Sequence, residues 1–273
     1  MNNNQGLSQN RSGQPAQQRL DAILDIIYTS GFTSVAEVAQ QMDVSEMTIR
    51  RDFDKLEADG LIRRAHGGAI AEQRTQVEVD YRARKLRRAQ EKARIGQIAA
   101  SLVQEGQSIF LDAGTTVLAM VKFLKPLKSL HVVTSSLPVQ MEFMNCPGIN
   151  VILVGGQIMP HTMSYVGPLA MENIHNMRFD WAFLGTGGID VDRGLTHSTL
   201  EEIPIKKAAA ASATKVAVLA DSTKFGYNAL SLIMPISAVH YVVTDKLPDE
   251  AVQQVLTENG TRLICTIPSL STG

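Results

Sequence analysis

The sequence predicts an α/β protein in two parts: an N-terminal winged helix-turn-helix domain and a C-terminal domain built on a mainly parallel sheet. Three observations carry this. Residues 20–60 show helical periodicity, with two short helices separated by a tight turn. Residues 61–68 read as a strand and a glycine turn. From Glu91 onward, short apolar runs alternate with amphipathic segments, the pattern of βαβ units. At 273 residues the chain is long enough for two such domains. The expected boundaries are a tail at 1–14, the winged helix-turn-helix domain at 15–72, a basic linker at 73–90, the sheet domain at 91–267 and a tail at 268–273.

The first residues are rich in Asn, Gln, Ser and Gly and lack the apolar stretch of a signal peptide. They read as a disordered tail on a cytoplasmic protein. After Pro15, Leu20, Ile23, Leu24 and Ile27 form one apolar stripe, and Gly31 ends the helix. Ser34 and Glu37 have the spacing of a capping box. Val35, Val38, Ala39 and Met42 make the apolar face of a second helix, followed by a turn at Asp43-Val44. Ser45 is placed to cap a third helix running to about Asp59, with Gly60 as its stop.

In that third helix Ile49, Phe53 and Leu56 share a narrow arc, and Met47, Arg50, Arg51, Asp54 and Lys55 lie opposite. The arrangement is that of a helix-turn-helix, whose second helix enters the major groove. Arginine pairs bidentately with guanine, while Ser and Thr suit bases or phosphates. A β-wing at Leu61–Gly68 sets Arg63, Arg64 and His66 against the sugar-phosphate backbone, with Gly67 in its turn. The expected DNA-contacting set is Ser34, Ser45, Glu46, Met47, Thr48, Arg50, Arg51, Lys55, Arg63, Arg64, His66 and Gly67.

The net charge of −1 is an average over unlike parts. Residues 61–94 carry 10 basic against 4 acidic residues, and residues 95–273 carry 11 against 14. Arg74, Arg82, Arg84, Lys85, Arg87, Arg88, Lys92 and Arg94 make the connector basic. Such a segment adds phosphate contacts, or is simply a solvated linker leading into a basic helix.

In the second part, Ile95, Ile98, Ala99 and Leu102 mark a helix and Ser108–Ala113 a strand. Val117, Leu118, Val121 and Leu124 mark one further helix. Strands follow at His131–Thr134, Val151–Val154, Trp181–Leu184, Val216–Ala220, Tyr241–Thr244 and Arg262–Cys265. Helices lie near Pro138–Met144, Ile203–Ala213 and Asp249–Leu256. In a parallel sheet, ligands bind beyond the carboxyl ends of the strands. The loops there are small and polar: Asp112, Gly114, Thr115 and Thr116; Thr134, Ser135 and Ser136; Gly155 and Gly156; Gly185, Thr186, Gly187 and Gly188; Asp221 and Lys224. Together they suit an anionic, hydroxylated ligand. Lys206 and Lys224 are placed to neutralise it, and Asp112 and Glu202 to accept from its hydroxyls.

Two cysteines, Cys146 and Cys265, are too few for a disulfide framework and form no CxxC pair. The six histidines are scattered, so neither a metal nor a cofactor is expected. No apolar run approaches the roughly 18 residues of a membrane span. Walker A, GxGxxG, GxSxG and HExxH patterns are absent from the sequence.

The run Val44-Ser-Glu-Met-Thr-Ile-Arg-Arg-Asp52, followed by Lys55-Leu56-Glu57, Gly60 and Arg64-Ala-His-Gly-Gly-Ala69, resembles the DeoR family of bacterial transcriptional regulators. Phe53 and Ala65 stand where that family more often has Leu and Val. The resemblance continues through Phe110-Leu-Asp-Ala-Gly-Thr-Thr116, Leu153-Val-Gly-Gly156, Phe183-Leu-Gly-Thr-Gly-Gly-Ile189 and Leu219-Ala-Asp-Ser-Thr-Lys-Phe-Gly226. Ser136 departs from the common pattern, and Pro204 is unusual between Glu202 and Lys206. The resemblance implies operator binding by a homo-oligomer, dimer or tetramer, and release by a phosphorylated sugar or sugar derivative. The family's sensor is similar to ribose-5-phosphate isomerases, where Gly-Thr loops hold the phosphate. An alternative follows: an isomerase-like enzyme with a DNA-binding appendage, using Asp112, Glu202 and Lys206 for proton transfer. The leading expectation is a regulator and not an enzyme.

Overall fold

The computed structural model describes residues 16–58, 61–71 and 81–266. The tails expected at 1–14 and 268–273, Gly60, and the linker residues up to 80 with Arg74 among them lie outside the described residues. The chain divides into two compact units, Met1–Arg88 and Ala89–Gly273.

In the first unit, helix α1 (Ala16–Ser30) buries Leu20, Ile23, Leu24 and Ile27. A short strand, β1 (Phe32–Ser34), precedes α2 (Val35–Met42) and α3 (Glu46–Ala58). The wing is β2 (Ile62–Ala65) and β3 (Gly68–Ala71). The three strands form an antiparallel sheet in the order β1-β3-β2. Val38, Ile49, Phe53 and Leu56 join the α1 stripe in one core. Each such side chain contributes about 1.5–3 kcal/mol by leaving water. The connector is helical at α4 (Tyr81–Leu86), where Leu86 packs on this core.

The second unit opens with α5 (Ala89–Ser101), β4 (Ser108–Leu111), α6 (Thr115–Leu118), α7 (Val121–Leu124) and β5 (Leu130–Thr134). It continues through α8 (Leu137–Phe143), β6 (Ile149–Leu153), β7 (Gln157–Met159), β8 (Ser164–Val166), α9 (Pro168–His175) and β9 (Phe179–Gly185). Next come β10 (Gly188–Asp190), β11 (Gly194–His197), α10 (Glu202–Ala211) and β12 (Ala213–Leu219). The unit ends with β13 (Ser231–Met234), β14 (Tyr241–Thr244), α11 (Glu250–Glu258) and β15 (Arg262–Cys265).

Seven strands form one sheet in the order β15-β14-β12-β9-β4-β5-β6, every pair parallel. Its central strands β4, β9 and β12 are nearly continuous apolar runs buried on both faces along most of their length. The chain enters at β4, moves outward through β5 and β6, then crosses to β9 and moves outward the other way. The sheet therefore reverses direction between β4 and β9, and the crevice beyond those carboxyl ends is where such folds bind ligands.

The second unit differs from the sequence expectation in four features. The single helix expected across Val117–Leu124 is two short ones, α6 and α7. The break falls where α5 comes closest: a Cβ on its Gly96 would lie 2.7 Å from main-chain atoms of Ala119 and Met120. An antiparallel sheet, β10-β11-β13, and a hairpin, β7-β8, were not anticipated, and neither was α9. Pro204 falls in the first turn of α10, where its missing N–H leaves no helical bond unmade. Among the described residues no helix is long and apolar enough to cross a membrane.

Candidate DNA interface and candidate ligand site

The turn between α2 and α3 is made by Asp43 at φ 53°, whose N–H reaches Ala39 O and Gln40 O. Helix α3 starts where Ser45 Oγ accepts from Thr48 N at 3.2 Å. Ile49, Phe53 and Leu56 are buried, which turns Glu46, Met47, Arg50, Arg51, Asp54 and Lys55 to solvent. Arg50 sits 3.4 Å from Glu46, a pair about half exposed on both sides and so easily exchanged for another partner. Asp52 lies on the buried side and takes two bonds from Arg19 of α1, at 2.5 and 3.1 Å. This bidentate pair ties α3 to α1 and was not foreseen. Its one sequence signal was an acid on the apolar side of α3.

Two residues expected at DNA have work within the fold. Ser34 completes the capping box, accepting from Glu37 N at 3.2 Å and donating to its carboxylate at 2.8 Å. Arg64 is turned onto α3: its N–H donates to Glu57 at 2.8 Å, its guanidinium lies 3.5 Å from Asp54, and it covers the Phe53 ring at 5.4 Å. Arg63, His66 and Gly67 are exposed. The two wing glycines are required for different reasons. Gly67 has φ 76°, and a Cβ on Gly68 would lie 2.1 Å from Thr33 O of β1. Val35 N donates to Gly67 O at 3.0 Å, so the wing turn also anchors the start of α2.

In the second unit, Asp112 leaves the end of β4 and Gly185 ends β9, side by side at the switch point. Gly185 N donates to Asp112 Oδ2 at 2.8 Å. Lys206 of α10 bonds the same Asp112 oxygen and also Gly185 O at 3.1 Å. Both charged side chains are almost wholly buried. Lys206 is therefore already compensated and is not the free neutralising charge the sequence led us to expect. Gly114 packs against Gly185: a Cβ on either would stand 3.4 Å from the other's Cα.

Glu202 is one helical turn before Lys206 and shares its face. Its Oε1 accepts from Ser164 Oγ at 2.8 Å, and its Oε2 lies 2.8 Å from His197 Nε2. Ser164 in turn meets Thr162 at 2.7 Å. Burial alone would push the Glu202 carboxyl up. The bond from His197, the Lys206 charge and the Ser164 hydroxyl outweigh it and hold the group well below the usual carboxylate range. Burial and the Lys206 charge push the His197 imidazole down, against the pull of Glu202.

Hairpin β7-β8 delivers Ser164. Tyr165 N donates to Ser135 O and Leu137 N to Met163 O, which lays the hairpin across the end of β5. Several expected ligand residues are occupied by local structure. Thr134 Oγ1 donates to Leu111 O, Ser136 caps α8, and Thr186 donates to Gly188 O and Thr196 O. Asp221 caps the turn at Ser222–Lys224. Gly155 and Gly156 follow β6, at the far edge of the sheet, with φ 71° and 106°. Thr115 and Thr116 are buried in the first turn of α6, which has only four residues.

Reading the sequence missed His197, Ser164 and Thr162. Ser164 stands 38 residues from the glutamate it serves, with no local pattern to mark it. Among the described residues no cluster of His, Cys, Asp and Glu could hold a metal.

Comparisons with known proteins divide the chain in the same way. Residues 19–75 match the family described as DeoR-like helix-turn-helix domain, and residues 87–246 match the DeoR C terminal sensor domain. The glycerol-3-phosphate regulon repressor of Escherichia coli (strain K12) is 33% identical over 246 residues, covering 90% of this chain and 97% of the relative. The lactose phosphotransferase system repressor of Lactococcus lactis subsp. lactis is 35% identical over 212 residues, covering 77% and 83%. The solved ribose 5-phosphate isomerase A of Methanocaldococcus jannaschii overlaps 49% of this chain and 53% of its own, at 18% identity and a TM-score of 0.36.

Proposed function

This chain belongs to the DeoR family and is a DNA-binding transcriptional regulator, and from that premise we propose that it represses a carbohydrate-utilisation operon and leaves its operator when a phosphorylated sugar or sugar derivative binds the second unit. The observation that supports this ligand is the buried, acceptor-rich cluster at the switch point. With Lys206 matched to Asp112, the Glu202 carboxylate is formally in excess. A site of that kind takes hydrogen-bond donors, and a sugar's hydroxyls supply them. We assign the phosphate to the neighbouring Gly114–Thr116 turn, whose main-chain N–H groups open α6, with the Gly185–Gly188 loop beside it. Gly155, Gly156, Asp221 and Lys224 form the outer rim of the site in this reading.

A homo-oligomer, dimer or tetramer, would set two recognition helices on operator half-sites. Release follows if the ligand prefers the conformation with weaker DNA affinity. The setting we infer is the cytoplasm, supported by two cysteines that are free thiols.

The test is a thermal-shift series with sugar phosphates from trioses to hexoses, followed by anisotropy titrations of the DNA upstream of the gene. A ligand at 100 times its dissociation constant stabilises by about 2.7 kcal/mol. The same compound is expected to release the DNA. A series with neither stabilisation nor release would sink the sugar-phosphate reading. The isomerase-like alternative draws on the same Asp112, Glu202 and Lys206, but Lys206 is occupied in joining β4 to β9. Multiple turnover of a bound sugar phosphate would favour that alternative; none is expected.

A further inference from the structure

We propose that His197 reads the effector, its Nδ1 accepting a hydrogen bond from one hydroxyl of the bound sugar phosphate. The proposal rests on the sugar-phosphate reading above and deepens it by naming one contact and the ligand group that makes it.

His197 ends β11, and its side chain is only 12% exposed. Nε2 lies 2.8 Å from Glu202 Oε2. Glu202 already receives the Ser164 hydroxyl on its other oxygen and faces Lys206, so it is an ionised carboxylate that only accepts. The proton between the two residues therefore sits on Nε2. A neutral imidazole with that tautomer presents a lone pair at Nδ1. Nδ1 is buried and has no hydrogen-bond partner among the described residues.

The polar atoms of Thr196, its neighbour in β11, are matched. Thr196 O accepts from Gly187 N at 2.9 Å, and Thr196 Oγ1 accepts from Ala229 N at 2.9 Å. Gly187 presses on this strand: a Cβ there would lie 3.3 Å from His197 Cα. Native proteins pair nearly all their buried polar atoms with protein, water or ligand. The unmatched acceptor belongs to the cluster that holds Glu202 and Lys206 at the switch point, which marks it for a ligand.

An acceptor sets a chemical condition. A hydroxyl satisfies Nδ1, whereas a carbonyl oxygen or a deoxy carbon does not. The site therefore distinguishes an alcohol from a ketone or a methylene at one carbon of the ligand. Leaving the buried acceptor unpaired weakens binding by roughly ten- to a hundredfold.

Calorimetric titrations of the full chain with glycerol 3-phosphate, ribose 5-phosphate, fructose 1-phosphate and fructose 6-phosphate test this, with inorganic phosphate as reference. His197→Gln keeps an N–H that reaches Glu202 but has no acceptor at the Nδ1 position. His197→Asn keeps an acceptor near Nδ1 and gives up Glu202. The tightest binder is expected to lose roughly tenfold or more in His197→Gln and less in His197→Asn. A monodeoxy analogue lacking the contacted hydroxyl should bind wild type and His197→Gln alike. Nitrogen-15 histidine spectra of the wild type need no variant to fold: the binder should shift Nδ1 and leave the protonated Nε2 in place. Equal affinity of wild type and His197→Gln for every binder, or a proton on Nδ1 in the free protein, overturns the proposal and leaves the sugar-phosphate reading standing. A series in which no sugar phosphate binds better than inorganic phosphate overturns both.

Discussion

Asp112 illustrates how burial changes what one side chain can be asked to do. As a polar residue at a strand end it looked like a hydroxyl acceptor. In the fold it holds Lys206 and Gly185 N, so removing it strands a buried ammonium. Asp112→Ala should lower the stability of the second unit by about 3–5 kcal/mol, and Lys206→Met in that background should recover part of it. Chemical denaturation measures both; a variant as stable as wild type would contradict the pairing. His197 makes a pH prediction. Its folded affinity for protons is depressed below the ordinary 6.5 by burial and by Lys206, with Glu202 and Asp112 opposing. The unfolded chain thus takes up the proton first. His197's contribution is full above about pH 6.5 and is lost as pH falls from there towards the folded value. Glu202 adds a second loss below its ordinary 4.5. Melting temperatures of wild type should fall on mild acidification, and His197→Gln should lack that first limb. A flat wild-type profile between about pH 7 and pH 5 would rule this out. On the DNA side, Arg50→Ala and Arg51→Ala should each weaken specific operator binding by about 1–3 kcal/mol with the fold unchanged. Unaltered operator affinity in both would refute the role given to α3.

The wing shows how an element divides its residues between structure and contact. Strand alternation sends Arg63 outward, while Arg64 lies back over Phe53, Asp54 and Glu57. These two neighbours should therefore fail differently. Arg63→Ala is expected to weaken DNA binding alike for all sequences and to reduce the salt slope by about one. Arg64→Ala should instead loosen the wing from α3 and lower the melting temperature of the first unit. Anisotropy titrations over a range of salt, paired with thermal melts, separate the two. If the two variants behave alike, the division is wrong. The same scale explains what pattern reading missed in the second unit. Strands β7, β8 and β10 have three residues each, too few for alternation to register. The apolar spacing across Val117–Leu124 is helical on both sides of a break at Ala119 and Met120, the point where Gly96 of α5 packs closest, and no periodicity marks that contact.

At the scale of the whole chain, a net charge of −1 conceals a basic recognition-and-connector region and an acidic remainder. The exposed face of α3 itself mixes Arg50, Arg51 and Lys55 with Glu46 and Asp54. Binding should then depend on placed arginines and paired half-sites more than on bulk charge. The proposed control of operator binding by a ligand carries a reciprocal prediction. Whatever factor the sugar phosphate takes from operator affinity, operator must take from sugar-phosphate affinity. Titrating ligand into free and operator-bound protein measures that factor twice. Equal ligand affinity in the two states would mean that the ligand does not control DNA binding.

The sequence alone determined the helix-turn-helix, its wing and the run of parallel strands. Each is written in local terms: a 3.6-residue stripe, a capping box, a glycine pair, a short apolar run. It also marked the loops at the strand ends, because small polar residues there stand out against apolar neighbours. Only the tertiary structure decided which of those residues are committed to one another. Lys206 meets Asp112 across 94 positions, Ser164 meets Glu202 across 38, and Arg19 meets Asp52 across 33. Long-range pairs of this kind leave no periodicity to read. They form because a charge or hydroxyl carried into the interior must find a partner there, and the fold determines which partners are within reach.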